Sequence, residues 1–331
     1  MTYKRVIVTE RGGPETLKAV ECDLRLPGAG EVRVRVQAAP VSSPDVSSRY
    51  GRTPFAPKVP FVPGYAVIGV VDALGEGVTG ASVGDRVAAL ITYGGYAEVA
   101  YLKEKELIPV PGTVDAGEAA TLILNYIVAY QILHRSARVQ AGDKVLIIGA
   151  SGGVGTAFLQ LGRVAGLTMY GTASPAKHGV LLEHGATPID YHTRDFVDVI
   201  RQAEPDGLDA VFDGMGGDYY GRGFSLLRRG GVLVGYGNPL SIRRMLRMFG
   251  QMFLYNLLPN GRSAKYYGTG ASRLDRRPFL EDWAALFRLL EEGRIKPVIT
   301  ARFPILEAAR ANELLESGRV IGNVVLVAPE T

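Results

Sequence analysis

The sequence has few of the residues that form disulfides or hold metal ions. It contains one cysteine, Cys22, and four histidines among 331 residues. A single thiol cannot form a disulfide within the chain, which fits a reducing compartment, and we therefore expect a cytoplasmic protein. Zinc sites need three or four converging Cys, His or acidic ligands. The composition thus disfavours both a disulfide framework and a zinc site.

Long apolar runs and a strong charge of one sign are also missing. No window reaches the roughly 18 apolar residues of a membrane span, and the first residues lack the apolar core and cleavage site of a signal peptide. We expect no stable membrane insertion. The chain has 37 Lys and Arg against 33 Asp and Glu, a net charge of +4. This mild, dispersed excess argues against a nucleic-acid partner.

The residues that are present suggest two domains of different kinds. A chain of 331 residues is about twice the usual size of one domain. Up to about residue 110, short Val-rich segments alternate with Gly and Pro clusters. In "EVRVRVQ", residues 31–37, the valines share one face and the polar residues the other. This part predicts a β-rich domain.

The pattern changes near residue 116, where a long helical stretch without proline begins. Continuous apolar strands then alternate with helical segments up to about residue 265, which predicts a parallel sheet buried on both faces. Such a sheet is doubly wound, in a Rossmann-type α/β fold. After two more helical segments, the strand-like "GNVVLVAP", residues 322–329, is positioned to return to the first domain.

The stretch "VLIIGASGGVG", residues 145–155, joins one of these strands to a helix. Its glycines allow a sharp turn and a close approach of backbone N–H groups to a pyrophosphate, and the helix N-terminus adds partial positive charge. The alternative is a turn that merely needs glycine. Because the alternating units follow, we predict dinucleotide binding by Gly149, Ala150, Ser151, Gly152, Gly153, Val154 and Gly155.

The end of the next strand distinguishes between nicotinamide cofactors. An NAD site usually has an acidic residue about 20 residues after the glycines. The segment "LTMYGTASPAKHG", residues 167–179, has none, but it offers Ser174 and Lys177. A hydroxyl and a cation suit a 2′-phosphate. The sequence therefore favours NADPH, although Lys177 could also be an ordinary solvated lysine.

Several motifs together resemble one family. "PFVPGYAVIGVVDALGEGVTGASVGDRV", "GGYAEV", "HGATPIDYHTRDF" and the C-terminal "LEEGRIKPVITARFPILEAARANELLESGRVIGNVVL" accompany the glycine turn in the expected order. They resemble the medium-chain dehydrogenase/reductases, in their zinc-independent quinone oxidoreductase branch. "LNYIVAYQIL" is similar to a motif of the members of this branch that are akin to vesicle amine transport proteins.

This resemblance implies a fold and a set of cofactor contacts. It implies a Rossmann NADPH-binding domain, residues 117–265, inserted into a chaperonin-10 (GroES)-like domain formed by residues 1–116 and 266–331. Lys177 and Tyr191 would line the 2′-phosphate, and Gly235 is a further expected cofactor contact. Tyr65 and Ala66 stand where the zinc enzymes carry His and Glu. We also expect a homodimer.

Few side chains are needed for catalysis, because the cofactor carries the hydride chemistry. The relatives' Asn-x-x-Asp motif reads "SSPD" here, so Ser42 is a candidate hydrogen-bond donor to a substrate carbonyl; alternatively it only caps a turn. Tyr50 and Tyr65 are candidate donors, with core packing as the alternative. Asn125 is expected near the nicotinamide, and Val128 stands where the family usually has Thr.

The leading hypothesis is an NADPH-dependent reductase of quinones or α,β-unsaturated carbonyls. The alternatives are an enoyl reductase acting on a carrier-bound or biosynthetic intermediate, and a nucleotide-binding protein without turnover. One segment stands apart from these functions: residues 241–267 place arginines among Met, Phe and Leu. We expect a helix that caps the cleft or forms a dimer contact; a basic amphipathic helix resting on a membrane is the alternative.

Overall fold

The computed structural model describes residues 1–53, 56–237, 241–270 and 275–329. The chain forms two compact units. The first comprises Met1–Leu124 and Trp283–Thr331, and the second comprises Asn125–Asp282. The chain therefore leaves the first unit once and returns to it. The predicted domain limits, at 116/117 and 265/266, stay predictions.

The first unit is built mainly from short strands. Its strands are β1 (Thr2–Val8), β2 (Leu17–Asp23), β3 (Glu31–Val41), β4 (Ala66–Leu74), β5 (Arg86–Leu90), β6 (Val99–Lys103), β7 (Ile108–Pro109), β14 (Ile299–Pro304) and β15 (Asn323–Val327). Its helices are α1 (Ser43–Arg49), α2 (Ala116–Thr121) and α10 (Ala308–Glu316). Strands β1 and β2 form a separate antiparallel pair, and the others form one sheet in the order β14-β15-β3-β4-β5-β7, with β6 also paired to β3.

Strand β3 organises this sheet because its pattern has one apolar face. Val32, Val34 and Val36 are buried and belong to one hydrophobic core, as the alternation predicts. The C-terminal strand β15 pairs antiparallel with the end of β3, from Val324 opposite Val41 to Val327 opposite Ala38. The end of the chain thus completes the sheet that its beginning starts.

The second unit alternates strands and helices. Its strands are β8 (Lys144–Ile148), β9 (Thr168–Ala173), β10 (Ala186–Asp190), β11 (Leu208–Asp213), β12 (Leu227–Tyr236) and β13 (Ser263–Tyr267). Its helices are α3 (Ile127–Gln131), α4 (Gly153–Val164), α5 (His178–Glu183), α6 (Phe196–Ala203), α7 (Asp218–Ser225) and α8 (Ile242–Leu257). A further helix, α9 (Arg277–Glu291), leads back to the first unit.

All six strands of the second unit are parallel, in the order β10-β9-β8-β11-β12-β13. The order reverses at β8, so the carboxyl ends of β8 and its neighbours meet at the switch point where such sheets bind ligands. Helix α4 covers the sheet there, and Phe158 stacks on Phe212 of β11 with ring centroids 4.7 Å apart. The predicted α/β fold class, a doubly wound parallel sheet together with a β-rich domain, is confirmed.

The predicted long helix after residue 116 is helical over Ala116–Ala137, but it is not a uniform α-helix. Two π-helical segments, Leu122–Tyr126 and Ile132–Ala137, flank α3. By length and composition this stretch could cross a membrane, but 78% of its most apolar window is buried inside the protein. That burial is typical of the core helix of a globular domain.

Candidate cofactor site and candidate catalytic residues

The glycine turn after β8 is fixed by hydrogen bonds to the neighbouring strand. Gly149 has a φ of 82°, a conformation that favours glycine. Its N–H donates to the hydroxyl of Thr172 at 2.9 Å, and the N–H of Ala150 donates to the Thr172 carbonyl at 3.0 Å. The chain therefore turns away from the sheet at a position set by the end of β9.

The glycines at the start of α4 serve different purposes. A Cβ on Gly155 would lie 2.4 Å from the carbonyl oxygen of Gly149, so this position must be glycine for the helix to pack on the turn. A Cβ on Gly152 would meet nothing nearer than 3.7 Å. Gly152 is the N-cap of α4 and has no side chain to cap it. There is thus room for a ligand next to Gly152 at the start of α4, and binding of a pyrophosphate by this turn stays a prediction.

The ends of β9 and β10 bring three predicted residues to the same edge. Ala173 and Asp190 are opposite each other in the parallel register, so the next residues, Ser174 and Tyr191, follow adjacent strand ends. Lys177 ends the short 3₁₀ turn that Ser174 caps. The pKa of Lys177 is lowered by burial, and a bound phosphate would oppose that effect.

No carboxylate stands directly after β9, and the nearest acid in this region has its own hydrogen bonds. Asp190 accepts from the N–H of His192 at 3.0 Å and from the hydroxyl of Thr193 at 2.7 Å. These bonds lower the pKa of Asp190. The edge therefore offers a hydroxyl, a cation and a half-exposed phenol to a phosphate, which is chemistry suited to a phosphorylated ribose.

Gly235 has a structural role in addition to its predicted one. A Cβ on this residue of β12 would lie 2.6 Å from the hydroxyl oxygen of Tyr220, so its missing side chain makes room for that tyrosine. Tyr220 is buried and its hydroxyl contacts the sulfur of Met248 at 3.3 Å. Cofactor contact by Gly235 stays a prediction, and packing alone accounts for the glycine.

In the first unit, Ser42 is bound to Asp45 at the start of α1. The buried carboxylate of Asp45 accepts from the Ser42 hydroxyl at 2.5 Å and from the Ser42 N–H at 3.1 Å. The turn-capping interpretation of Ser42 therefore has a direct structural basis. Donation to a substrate stays a prediction, and it requires the Ser42 hydroxyl to turn away from Asp45.

Asp45 also connects α1 to two other segments. It accepts from the N–H of Gly64 at 2.9 Å and from the hydroxyl of the fully buried Tyr96 at 3.3 Å. Burial raises the pKa of Asp45 to about 6, and these hydrogen bonds oppose that rise. The sequence shows Asp45 in "SSPD" and Tyr96 in "GGYAEV", but it gives no sign that the two side chains meet. Neither residue is among the site residues that the sequence predicts.

The two candidate tyrosines differ in what their hydroxyls contact. The Tyr50 hydroxyl donates to a carboxylate oxygen of Glu316 at 2.9 Å, while the Arg52 guanidinium lies 4.3 Å from the ring centroid. Within the described part of the chain, no hydrogen bond is made by the hydroxyl of Tyr65, which follows the Asp45-bound Gly64. Tyr65 therefore has a hydroxyl available for a ligand, whereas Tyr50 is bound to Glu316.

Asn125 lies in the π-helical segment Leu122–Tyr126 and is half-buried. Such segments occur frequently at functional sites, since they turn a side chain away from its regular helical position. The next residue, Tyr126, is fully buried and donates to the side-chain oxygen of Gln160 on α4 at 2.8 Å. This bond ties the π-helical segment to the helix that starts at the glycine turn.

A zinc ion requires a grouping of three or four Cys, His or acidic side chains. Across residues 1–53, 56–237, 241–270 and 275–329, no three His, Cys, Asp or Glu side chains are grouped so that they could hold a metal ion. Tyr65 and Ala66 stand where the zinc enzymes carry His and Glu. Tyr65 directly precedes β4, and Ala66 is the first residue of that strand. The donor set described therefore does not fit a zinc ion.

Comparison with known proteins agrees with this architecture. The family model described as "Alcohol dehydrogenase GroES-like domain" matches residues 28–112, and the model described as "Zinc-binding dehydrogenase" matches residues 184–326. The chain is 36% identical over 313 residues to the rat (Rattus norvegicus) "Synaptic vesicle membrane protein VAT-1 homolog", covering 91% of this chain and 78% of the relative. It is 32% identical over 333 residues to the "Quinone oxidoreductase" of Lama guanicoe, covering 98% and 97%.

Solved structures of the same kind superpose on nearly the whole chain. The Escherichia coli quinone oxidoreductase complexed with NADPH has a TM-score of 0.88 at 26% identity, covering 98% of this chain and 99% of that one. The human VAT-1 homolog-like protein has a TM-score of 0.85 at 27% identity, covering 100% and 99%. A GroES-like domain with a doubly wound sheet and a glycine turn defines a class of dinucleotide-linked oxidoreductases. Within that class, the chain belongs to the medium-chain dehydrogenase/reductase superfamily, in its quinone oxidoreductase branch.

Proposed function

We propose that the protein is an NADPH-dependent, zinc-independent reductase that transfers hydride to a quinone or an α,β-unsaturated carbonyl, and that it acts as a cytoplasmic homodimer. One observation carries the proposal most directly. The ends of β8, β9 and β10 bring an open glycine turn, Ser174, Lys177 and Tyr191 to one edge, and no carboxylate directly follows β9. We assign the glycine turn to the pyrophosphate and the other three residues to the 2′-phosphate.

Each part of this edge has a distinct task in binding. When bound, NADPH supplies the hydride. The amides at the start of α4 hold the pyrophosphate, with the partial positive charge of the helix N-terminus in support. Ser174 and Lys177 bind the 2′-phosphate, and Tyr191 covers it. The Lys177 charge is then retained, because a phosphate next to the ammonium favours its protonated form.

The acceptor needs stabilisation where negative charge develops on its oxygen. Tyr65 is the candidate that we place first, because its hydroxyl makes no hydrogen bond within the described residues. Ser42 is second, since Asp45 already accepts its hydroxyl proton. Asn125 is assigned to orienting the nicotinamide, from its position in the π-helical segment. Tyr50 is assigned to holding α1 on Glu316.

The relatives support this proposal without identifying the acceptor. The E. coli neighbour is a quinone oxidoreductase complexed with NADPH, and the Lama guanicoe relative is named for the same activity. Folds of this kind host many substrates, so a panel of acceptors is needed. Reduction of a carrier-bound enoyl group is the first alternative, and nucleotide binding without turnover is the second.

The test compares kcat/KM for NADPH and NADH with a quinone panel and an enal panel. We expect NADPH to be preferred. Lys177→Gln should lower kcat/KM for NADPH at least 10-fold and leave that for NADH within about 2-fold, because a charge-assisted bond to phosphate is worth roughly 1.5–3 kcal/mol. Lys18→Gln, at an exposed position of the first unit, is the control with the same charge change. A preference for NADH would contradict the cofactor assignment, and NADPH binding without turnover on any acceptor would favour the non-enzymatic alternative.

A further inference from the structure

A cavity of about 840 Å³ lies in the second unit, between helix α8 and the carboxyl ends of β11 and β12. The loop after β11, residues 214–217, forms one wall of this α8 cavity, and Tyr236 at the end of β12 forms another. The wall from α8 includes Arg244, Arg247, Met248, Gln251 and Leu254. The volume is within the range of cavities that hold small organic molecules.

The loop wall of the cavity is fixed by a buried carboxylate. Asp213 accepts from the N–H of Met215 at 2.7 Å and from the N–H of Gly216 at 3.0 Å, and its side chain is fully buried. Gly216 and Gly217 have φ values of 69° and 65°, which favour glycine. The loop therefore has its own internal support, and the cavity does not need a ligand to form.

One side of α8 presents two arginines to the cavity. Arg244 and Arg247 are three residues apart, so they lie on the same side of the helix. Met248 and Gln251 continue this side one turn further on. Arg243 is exposed too, but it is not among the residues that line the cavity. The helix thus carries arginines that face the cavity and a neighbouring arginine that does not.

The charged side chains of the cavity wall leave a net charge of +1. Asp218, at the start of α7, is the one acidic side chain among the described lining residues, against two arginines. Within the described part of the chain, none of these three side chains forms an ion pair. Met248 and Leu254 add apolar surface. The wall therefore suits a molecule with an apolar body and an anionic end.

The position of the cavity relates it to the cofactor site. In a doubly wound sheet, a dinucleotide lies across the point where the strand order reverses. The proposed 2′-phosphate site is at the ends of β9 and β10, on one side of β8, whereas β11 and β12 are on the other side. A Cβ on Gly149 would lie 3.8 Å from the sulfur of Met215, so the cavity loop also adjoins the glycine turn. Under the proposed function, the cavity is therefore next to the nicotinamide half of NADPH.

We propose that the α8 cavity binds the acceptor through a carboxylate that pairs with Arg244 and Arg247. The acceptor is then an α,β-unsaturated carbonyl compound with an apolar body and this charged group. A guanidinium matches a carboxylate in geometry, because it can donate two parallel hydrogen bonds. This assignment rests on the proposed reductase function, since it names the acceptor of that reaction.

The reaction leaves the carboxylate of the acceptor unchanged. The β-carbon receives the hydride that NADPH supplies, and the π electron pair of the C=C bond moves to form an enolate. The α-carbon then takes a proton from water. NADPH is oxidised to NADP⁺, and the C=C bond is reduced. The two arginines fix the acceptor at a group that takes no part in these steps.

The phosphates of the cofactor are the other anions expected near this cavity. The pyrophosphate is assigned to the start of α4 and the 2′-phosphate to the ends of β9 and β10, so neither is assigned to α8. A quinone without a charged group would contact the apolar part of the wall and leave both arginines in water. The dimer contact and the membrane alternative for this helix stay predictions, and they concern surfaces outside the cavity.

The kinetic test uses trans-3-benzoylacrylate, an enone with a carboxylate, and its neutral methyl ester. Arg244→Gln/Arg247→Gln should lower kcat/KM for the acid by about 10-fold or more and leave that for the ester within about 2-fold, because the ester makes no charge-assisted contact. Arg201→Gln/Arg243→Gln removes the same charge from exposed positions outside the cavity. This control should treat both compounds as the wild type does.

Binding without turnover is measured by calorimetric titration with 3-benzoylpropionate, in which the C=C bond is absent. Its Kd should rise by about 10-fold or more in Arg244→Gln/Arg247→Gln and stay within about 2-fold in the control. The Kd for NADPH should stay within about 2-fold in both variants. The thermal unfolding midpoints should stay within a few degrees of the wild type, because the substituted side chains are exposed.

The outcomes separate this inference from the proposed function. An equal effect on the acid and the ester, or no binding of 3-benzoylpropionate by the wild type, would overturn it. So would a rise in the Kd for NADPH as large as that for 3-benzoylpropionate, since the arginines would then serve the cofactor. If 3-benzoylpropionate binds through the arginines but no acceptor is reduced, the carboxylate site is supported and the reductase function is wrong. If the wild type and the cavity variant reduce acid and ester alike, the reductase function is supported and the carboxylate site is wrong.

Discussion

At the scale of single residues, Asp45 connects several segments of the first unit. It is 3% exposed, and four donors converge on its carboxylate: the N–H and hydroxyl of Ser42, the N–H of Gly64 and the hydroxyl of Tyr96. These bonds hold α1 against the segment that carries Tyr65. Burial nevertheless outweighs them, since the pKa of Asp45 rises to about 6. Ionisation of Asp45 therefore destabilises the folded state near neutral pH.

Asp45 should make the stability of the protein depend on pH in a specific direction. The pKa of Asp45 is higher in the folded protein, about 6, than its ordinary value of 3.8, so the folded state holds the proton more tightly. The resulting contribution to the free energy of unfolding is complete below pH 4 and is lost as the pH rises through 6. The loss amounts to about 3 kcal/mol, at 1.36 kcal/mol for each pKa unit.

Urea unfolding of the wild type and Asp45→Asn between pH 4 and pH 7 measures this effect. The amide of the variant does not titrate, so its stability lacks the pH dependence that Asp45 contributes. The advantage of the wild type should be largest at pH 4 and should shrink toward pH 7. Asp198→Asn, at an exposed position, controls for the loss of one carboxylate elsewhere in the chain. An advantage that grows with pH would contradict the raised pKa.

The sequence predicts single residues well where local pattern decides their role. The spacing of Gly149, Gly152 and Gly155 and the missing acid after β9 are visible without a fold, because they concern a turn and the end of a strand. The meeting of Asp45 with Tyr96 is not visible, because 51 residues separate them and the contact depends on how the strands pair. The bond of Ser42 to Asp45 differs, because it spans three residues within "SSPD" and agrees with the turn-capping alternative that the sequence offers.

At the scale of secondary-structure elements, alternation of apolar residues predicts the strands, but helical detail depends on packing. The valines of β3 alternate and are buried as expected. The stretch Ala116–Ala137 has no proline or other sequence signal that predicts its π-helical segments. Those segments turn Asn125 and Tyr126 relative to a regular helix. Their positions follow from contacts such as the Tyr126–Gln160 hydrogen bond, which no local pattern encodes.

Two glycine-to-alanine substitutions in the turn between β8 and α4 should separate an effect on folding from an effect on cofactor binding. Gly155→Ala would place a Cβ 2.4 Å from a backbone oxygen, so it should lower the free energy of unfolding by about 1–3 kcal/mol through overpacking. Gly152→Ala would meet nothing nearer than 3.7 Å, so it should cost only about 1 kcal/mol, as expected for the loss of a glycine N-cap.

Cofactor affinity should not follow stability: Gly152→Ala, the variant expected to keep more of its stability, is expected to lose affinity for NADPH. Gly152→Ala should raise the Kd for NADPH at least 10-fold, because a methyl group would occupy the space that the pyrophosphate needs. Fluorescence titration with NADPH gives the Kd, and urea unfolding gives the stability. If Gly152→Ala binds NADPH as tightly as the wild type, the pyrophosphate does not lie over the start of α4.

At the scale of the whole molecule, the net charge of +4 conceals an uneven distribution. All 33 acidic residues lie outside residues 219–274, where nine basic residues are found. The overall composition, with its mild excess of basic residues, therefore does not show where the positive charge is concentrated along the chain. The family could be recognised from its motifs, because they extend over nearly the whole chain. The acceptor could not, because side chains that contact it are few and their roles depend on the cofactor.

The whole molecule should also work without a bound metal. The described residues offer no group of three His, Cys, Asp or Glu side chains able to hold an ion, and the chain has one cysteine. Protein purified without chelators should therefore contain well under one equivalent of zinc by elemental mass spectrometry. Incubation with EDTA should leave the thermal unfolding midpoint, the Kd for NADPH and kcat with a quinone unchanged. A sample refolded with added ZnCl₂ provides the zinc-exposed control. One equivalent of zinc that survives dialysis, or a lower unfolding midpoint after chelation, would show that ligands from this chain converge in a way its side-chain chemistry does not predict.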